Sequence, residues 1–572
     1  MPVHNADIAA AFRRLADLLE IEGENPFRVR AYRNAAATVG GMPRDAGAML
    51  ADGADLAELP GIGDDLAGKI AEMVETGSLH LLEDIETRVP PGLSDMTRIP
   101  GLGPKRVKAI HEALGIDDIE SLERAARDGR LRTLPGLGAK TEAKILEEIG
   151  RYEGAEKRLL RIDAEHIAEP LLAFIREISG VKQAVIAGSY RRQKETVGDL
   201  DILVTAKDGA AVIARFVRYD EVGDIVSKGT TRSTVILKSG FQVDLRVVPE
   251  VSYGAALFYF TGSRAHNIEL RKQAIKHGWK LNEYGLFEGD RRIAGKTEQE
   301  IYDKLALPFI APQLRENRGE IEAARKGSLP ELVTLEDMRG DLHCHTIASD
   351  GKYSVREMAE AAKKKGYAWL GITDHSRSQT VAGGMSEDEL AAQIDEIDAL
   401  NEESSGFRVL KSCEVDILPD GSLDFSDGLL ARLDYTVCSI HGAFDLSREK
   451  QTARVLRAMD NPHFTILGHA TGRLINRRPG YDIDLEAIMR AAKERGCYLE
   501  LNAQPSRLDI DDVHCKIARE IGLKVPISTD AHSVDGLEMM RFGIAQAGRG
   551  WLEAKDVLNT LPLEKMMKAF RR

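Results

Sequence analysis

Apolar side chains at the start of the chain recur every three to four positions. Ile8, Phe12, Leu15, Leu18 and Leu19 share one helical face, and residues 1–85 read as helical throughout. Short helical patterns continue beyond, punctuated by three copies of one motif: Leu59-Pro-Gly-Ile-Gly63, Ile99-Pro-Gly-Leu-Gly103 and Leu134-Pro-Gly-Leu-Gly138. The rhythm then changes. An apolar run from Val185 ends in Gly188-Ser189, a second opens at Gly198-Asp199-Leu-Asp201, and a third is Phe241-Gln-Val-Asp-Leu-Arg-Val-Val248. After residue 339, short apolar runs rich in β-branched residues alternate with helical patterns. The runs are Trp369-Leu-Gly-Ile-Thr373, Phe407-Arg-Val-Leu410, Tyr435-Thr-Val-Cys438, Phe464-Thr-Ile-Leu467 and Val525-Pro-Ile-Ser528. That alternation predicts β/α units.

Polar residues set into these strands carry the first candidate chemistry. Residues two apart on a strand face the same way, so Asp199 and Asp201 project side by side from the start of a buried strand. Two unpaired carboxylates there would repel and would be costly to desolvate, a penalty that a divalent cation removes. Asp244, in the strand that follows, supplies a third acid. Upstream, the Gly188-Ser189 turn can offer backbone N–H groups to a phosphate, and Arg192 adds a planar cation. The combination predicts two-metal phosphoryl transfer with Mg²⁺ or Mn²⁺.

The repeated Pro-Gly-apolar-Gly motif is the signature of a helix-hairpin-helix. Each copy forces a tight turn whose following helix starts with free N–H groups aimed at a DNA phosphate, a contact independent of base sequence. Gly61, Gly63, Gly101, Gly103, Gly136 and Gly138 are the expected DNA-binding positions. Gly136-Leu-Gly-Ala-Lys-Thr141 is no phosphate-binding loop of the ATPase kind, because Ala139 stands where a glycine is required.

A second cluster follows the strand pattern of the C-terminal half. His343 and His345 come first, with Asp350; then His375, Glu414, His441, His469, Asp530 and His532. Nearly every one lies at the end of an apolar run, which is how barrel active sites are assembled. Mixed His, Asp and Glu donors suit Zn²⁺, Mn²⁺ or Fe²⁺. Cys344, between two of the histidines, points to the opposite face and is not expected to be a ligand.

Composition bounds the rest. A 572-residue chain with 43% hydrophobic and 30% charged residues is expected to form several soluble domains. No apolar run is long enough to span a membrane, the first residues lack the pattern of a signal peptide, and the five cysteines are scattered. A cytoplasmic protein is therefore expected. Net charge of −13 does not favour a nucleic-acid binder, so any DNA affinity should be modest and strongly salt-sensitive.

Gly188-Ser-Tyr-Arg-Arg192 followed by Gly198-Asp-Leu-Asp201 resembles the palm motif of family X DNA polymerases, the DNA polymerase beta family. The resemblance implies that Asp199, Asp201 and Asp244 hold two metal ions, while Arg158, Gly188, Ser189, Arg192 and Gly198 bind the triphosphate. Tyr259-Phe-Thr-Gly-Ser263 with Asn267 and Arg271 resembles the family's nucleotide-binding element. There a backbone bend at Tyr259-Phe260, with Gly262 after it, crowds the sugar 2′ position. Asn267 reads the incoming base and Arg271 touches the template. Glu156-Lys-Arg158 resembles the start of the palm. Vertebrate members have arginine where this chain has Gln242. Lys69 falls at the position of the family's Schiff-base lyase lysine. Asp65 replaces a companion lysine one turn earlier and works against that chemistry, and Arg28 replaces another lysine.

The C-terminal half resembles the PHP (polymerase and histidinol phosphatase) domain, whose nine ligands fall on His343, His345, Asp350, His375, Glu414, His441, His469, Asp530 and His532. The resemblance implies up to three ions, Zn²⁺ and/or Mn²⁺, and a 3′–5′ exonuclease, with abasic-site cutting and 3′-phosphate removal as related activities.

The expected architecture is multidomain α/β and α+β. It comprises a lyase-like helical domain (1–85), a helix-hairpin-helix subdomain (86–155), a palm with a mixed sheet (156–250) and a nucleotide- and template-binding subdomain (251–312). A linker (313–338) leads to a distorted (β/α)7 PHP barrel (339–572). Gapped or primer-template DNA and deoxynucleoside triphosphates are the expected partners of a monomer. A DNA-end or abasic-site nuclease with weak polymerisation, and a DNA-binding scaffold with a structural PHP half, are the competing readings.

Overall fold

The computed structural model describes residues 3, 5–40, 46–51, 53–59, 61–97, 99, 101–154 and 158–571. The chain divides into two compact units. One comprises Met1–Val185 and Thr196–Val247, the other Ile186–Glu195 and Val248–Arg572.

The first unit begins with helices, as the apolar spacing predicts. Asn5–Glu22 and Pro26–Gly40 pack together, with Ile8, Phe12, Leu15 and Leu18 fully buried and Phe12 edge-on to Tyr32. The three repeats start the helices Asp64–Thr76, Pro104–Leu114 and Ala139–Gly154. The motif residues Pro60 and Pro100 lie outside the described residues, as do Glu156 and Lys157. A five-stranded sheet follows, in the order Val181–Ile186, Asp199–Ala206, Gln242–Val248, Arg232–Leu237, Val222–Lys228. Its strand Asp199–Ala206 alternates at the start, with Leu200 and Ile202 buried between the half-buried aspartates.

In the second unit, the helices Tyr253–Thr261 and Arg264–Lys276 are followed by the antiparallel strands Trp279–Asn282, Gly285–Glu288 and Arg291–Ala294. The stretch read as a linker is a packed joint. Arg315 and Glu320 are fully buried, Arg315 Nη1 donates to Glu298 at 2.5 Å, and Glu320 Oε1 lies 2.6 Å from Nδ1 of His266. Two of its charges, Arg315 and Glu320, are buried against partners, while Glu322, Arg325 and Lys326 are exposed. Arg315 is also stacked among Phe258, Tyr302 and Phe309.

Beyond it, backbone pairing runs in a circuit of parallel strands. Gly340–Asp341 pairs with Trp369–Ile372, and that with Arg408–Lys411. Glu414–Asp416, continuing the third strand, pairs with Val437–Ser439, then come Ile466–Leu467 and Tyr498–Leu499. Leu501–Asn502 pairs with Ile527–Ser528, and a parallel bridge from Cys344 to Ala531 joins the last strand to the first. These parallel pairings lie in three sheets, and the single Cys344–Ala531 bridge links the end of the domain back to its start. Asp341 ties the closure: its carboxylate accepts from the Thr529 hydroxyl and N–H. Among the described residues, no helix is long and apolar enough to cross a membrane.

Candidate metal centres and phosphate-binding turns

In the first unit, Asp199, Asp201 and Asp244 each offer a carboxylate oxygen, and these lie within 4.8 Å of one another. The alternation of the strand places the first two on one face, and the neighbouring strand Gln242–Val248 brings the third. Asp244 is held on both oxygens. Thr234 donates to Oδ1 at 2.6 Å, Arg232 reaches it at 3.3 Å, and Gln242 donates to Oδ2 at 2.7 Å. Arg232 went unnoticed in the sequence. It sits one strand away, two residues before the Thr234 that pairs with Asp244, so only the register reveals it. Arg158 donates to the Thr196 hydroxyl and carbonyl.

The three hairpin turns share one geometry. Gly61, Gly101 and Gly136 have φ of 73°, 91° and 77°, the left-handed region that a side chain rarely adopts. The second glycines, Gly63 and Gly103, cap their helices without a side-chain bond, and a Cβ built at Gly63, Gly103 or Gly138 meets nothing within 4 Å. The helix starts are therefore open to a ligand. They differ in charge: Asp64 and Asp65 open the first, Pro104-Lys105-Arg106 the second, and Ala139-Lys140 the third. Lys69 is paired with Asp65 and lies 6.0 Å from the Tyr32 ring centroid, while Arg28 is paired with Glu24 at 2.7 Å.

The short helix Gly188–Arg191 belongs to the second unit, and its neighbours are engaged. Arg191 makes a bidentate pair with Glu298. Arg192, expected to clamp a phosphate, donates to Glu316 at 2.9 Å and to the Thr261 carbonyl at 2.9 Å. Asn267 is likewise committed: its amide donates to the carbonyls of Tyr259 and Gly262 at the end of the preceding helix. The bend expected at Tyr259-Phe260 lies later. Both residues are helical, and the chain turns at Gly262, where a Cβ would come within 2.5 Å of the Asn267 side chain. Arg271 lies on the helix Arg264–Lys276.

The second cluster converges as the strand pattern predicts, with each donor except Asp350 at or just after a strand. Glu414 is its centre. One oxygen lies 2.9 Å from His469 Nε2 and 3.3 Å from His441 Nε2. The other lies 2.9 Å from His375 Nδ1, 3.4 Å from His343 Nε2 and 3.5 Å from His345 Nε2. Three donor groups form within it: His345, Asp350, His375 and His532; His343, His345 and Asp530; His375, Glu414 and His441. His469 joins through Glu414. The Nε2 atoms of His343 and His345 approach to 3.1 Å, and Asp530 Oδ1 lies 3.2 Å from the second. Two imidazole nitrogens facing each other across a carboxylate fit a cation between them. His469 and Asp530 hold φ of 26° and 52°, strained values that are tolerated where ligands must be aimed.

The electrostatics ask for positive charge. Burial alone would raise Glu414 and Asp530, but the surrounding histidines hold both carboxyls well below the usual range. Burial, with repulsion from His532 and His375, pushes His345 down to about 4, leaving its lone pairs available. Burial works against His375 as well, but Glu414 and Asp350 push it up to about 11. Divalent metals satisfy both trends.

Residues behind the ligands escaped the sequence reading. Glu500 accepts from His343 and from the His469 N–H (2.8 Å), Asp416 lies 2.5 Å from His441 Nδ1, and Asn502 donates to Asp530 at 3.0 Å. Glu500 alternates with buried Leu499 and Leu501, and Asp416 stands two residues after Glu414 on one strand face; those spacings were the available signals. Cys344 is buried with its sulfur towards Thr529 and is in none of the donor groups.

Comparison with known proteins follows the same division. Family models match as a helix-hairpin-helix domain over residues 3–79, a helix-hairpin-helix tandem over 93–151, a DNA polymerase beta palm over 158–235, a DNA polymerase beta thumb over 256–316 and a PHP domain over 341–504. The chain is 37% identical over 574 residues to the DNA polymerase/3′-5′ exonuclease PolX of Bacillus subtilis (strain 168), covering 100% of both chains. A probable phosphatase of Thermoanaerobacter sp. (strain X514) is 33% identical over 203 residues, 34% of this chain and 78% of its own. A probable phosphatase of Caldanaerobacter subterraneus subsp. tengcongensis is 32% identical over 204 residues, 34% and 75%. With palm, thumb, hairpins and PHP domain in the order of a full-length relative, the chain belongs to the PolX family, the family X DNA polymerases that carry a PHP domain.

Proposed function

We propose that this protein is a DNA repair polymerase that fills short gaps by template-directed deoxynucleotide addition and trims 3′ ends in its PHP domain. The observation that carries the reading is the convergence of two donor sets of different chemistry in one chain, one all-carboxylate and one of histidines and carboxylates. The all-carboxylate set suits Mg²⁺ or Mn²⁺; the mixed set suits Zn²⁺ and/or Mn²⁺, up to three ions. When bound, such ions ease deprotonation of the attacking oxygen and neutralise charge developing on phosphate.

The chain's own residues take the following parts. Asp199, Asp201 and Asp244 hold the ions of the polymerase centre. Gly188, Ser189, Arg192, Gly198 and Arg158 bind the triphosphate, with Arg192 exchanging Glu316 for a phosphate oxygen. Tyr259, Phe260 and Gly262 shape the sugar pocket, and Asn267 and Arg271 face the nascent pair. In the PHP domain His343, His345, Asp350, His375, Glu414, His441, His469, Asp530 and His532 hold the ions, and Glu500 and Asp416 orient their histidines. Gly61, Gly63, Gly101, Gly103, Gly136 and Gly138 bring helix starts to DNA phosphates. Lys69 is the candidate lyase nucleophile. Outside the packed stretch 313–338, domain limits are those expected from the sequence, and the protein acts as a cytoplasmic monomer. The likeness to probable phosphatases supports a companion 3′-phosphatase activity of the PHP domain.

The test uses a one-nucleotide-gapped, 5′-phosphorylated duplex with Mn²⁺, with and without deoxynucleotides. Asp199→Ala/Asp201→Ala should abolish gap filling and keep 3′ trimming, and His343→Ala/His345→Ala should do the reverse. Trimming that survives in the histidine variant would overturn the second assignment.

A further inference from the structure

The residues 186–195 lie within the compact unit that also holds the PHP domain, and side chains of that domain grip them. Arg473 pairs with Glu195 at 2.7 Å. Arg549, at the end of the helix Met540–Arg549 and 3% exposed, donates Nη1 to the Arg192 carbonyl at 2.9 Å and reaches Glu316 Oε1 at 3.0 Å. Its Nη2 donates to Asp512 at 2.6 Å, and Arg318 lies 2.9 Å from the same Asp512 oxygen. The Glu316 oxygen that Arg549 reaches is also the acceptor of Arg192. One carboxylate is therefore shared between an arginine expected at the triphosphate and an arginine of the PHP domain.

The sharing has an energetic consequence. Glu316 is largely buried, with its side chain 12% exposed. Burial opposes its ionisation, but Arg192 and Arg549 keep its carboxyl below the ordinary range. If Arg192 left with no other cation present, a buried charge would be stranded, which is strongly unfavourable. With Arg549 in place, Glu316 stays paired after Arg192 moves.

We propose that Arg549 is a positioning residue for nucleotide addition: it keeps Glu316 neutralised so that Arg192 can pass from that carboxylate to a phosphate of the incoming nucleotide. The inference rests on the assignment of Arg192 to the triphosphate. It makes the PHP domain a structural participant in polymerisation through a contact remote from its own metal ligands in sequence.

The test is steady-state gap filling by the full chain with Mn²⁺, varying the deoxynucleotide, with 3′ trimming measured on the same preparations. Arg549→Ala should raise KM about tenfold, or about 1.4 kcal/mol of lost binding, with kcat and trimming changed less than about twofold. Adding Glu316→Gln to that variant should restore KM to within about threefold, because no stranded charge then holds Arg192. Glu316→Gln alone should lower KM, and it keeps the test decisive if Arg549→Ala does not fold. A KM that does not rise in Arg549→Ala, that is not rescued in the double variant, or that fails to fall in Glu316→Gln overturns the proposal. Arg192→Ala separates the two levels. If it raises KM while Arg549→Ala does not, only this inference fails. If it leaves KM unchanged, the triphosphate assignment fails and the inference falls with it.

Discussion

Glu500 Oε1 lies 2.7 Å from Nδ1 of His343, and both side chains are fully buried. The carboxylate fixes the imidazole so that Nε2 faces the donor cluster, and it raises the basicity of that nitrogen. Glu500→Gln should weaken Mn²⁺ binding to the PHP domain by about 10–100-fold, the range found when such supporting groups are removed. Isothermal titration with Mn²⁺, alongside 3′ trimming, checks this; gap filling should be unaffected.

Gln242 donates to one oxygen of Asp244 while Thr234 and Arg232 hold the other. Gln242→Ala frees one carboxylate oxygen to rotate, and gap-filling kcat should fall about 3–10-fold, consistent with about 1 kcal/mol for one hydrogen bond. KM for the nucleotide should stay constant, since the change touches an ion-binding carboxylate and leaves the triphosphate contacts intact.

The hairpins should contribute unequally to DNA binding. Gly103→Val and Gly138→Val each put a branched side chain into the open space before a helix start flanked by lysine or arginine. Each should weaken binding of a gapped duplex severalfold in fluorescence anisotropy at low salt. Gly63→Val should matter less, because Asp64 and Asp65 already repel phosphate there. In the same region, borohydride trapping on an incised abasic site should be weak for the wild type and stronger for Asp65→Asn, which releases Lys69 from its ion pair.

Acid should destabilise the second unit through its buried carboxylates. Burial opposes ionisation of Glu298, Glu316 and Glu320, but Arg191 and Arg315, Arg192 and Arg549, and His266 with backbone N–H groups hold their pKa values below the unfolded value of about 4.5. Depressed carboxylates stabilise the fold above that value and lose the contribution as pH falls through their folded pKa. His266, lowered by burial, resists the proton that the unfolded chain accepts below about 6.5, so it acts in the same direction. The melting temperature should therefore drop gently from pH 6.5 to 5 and steeply below 4.5. His266→Gln should lessen the gentle part.

Much of this was legible because the strand period of two is unforgiving. Asp199 and Asp201 had to share a face, and ligands at the ends of successive strands had to meet at one end of a parallel ring. What the sequence hid were pairings set by tertiary register. Arg232 reaches Asp244 only because two strands align, and Glu500 reaches His343 from a strand far along the chain. The stretch around Arg315 reads as a linker because composition cannot distinguish a surface charge from one buried beside its counter-ion.

The bridge between Cys344 and Ala531, with Asp341 bound to Thr529 188 residues away, also orders events in time. Local helices and neighbouring β/α units can form as the chain emerges, but the first strand cannot find its last partner until almost the whole protein has been made. His343 and His345 follow that first strand, and Asp530 and His532 follow the last. The histidine centre is thus a late product of folding. A chain still on the ribosome carries most of its ligands without the geometry to use them, so hydrolytic capacity arrives only once residues 529–532 have joined the fold.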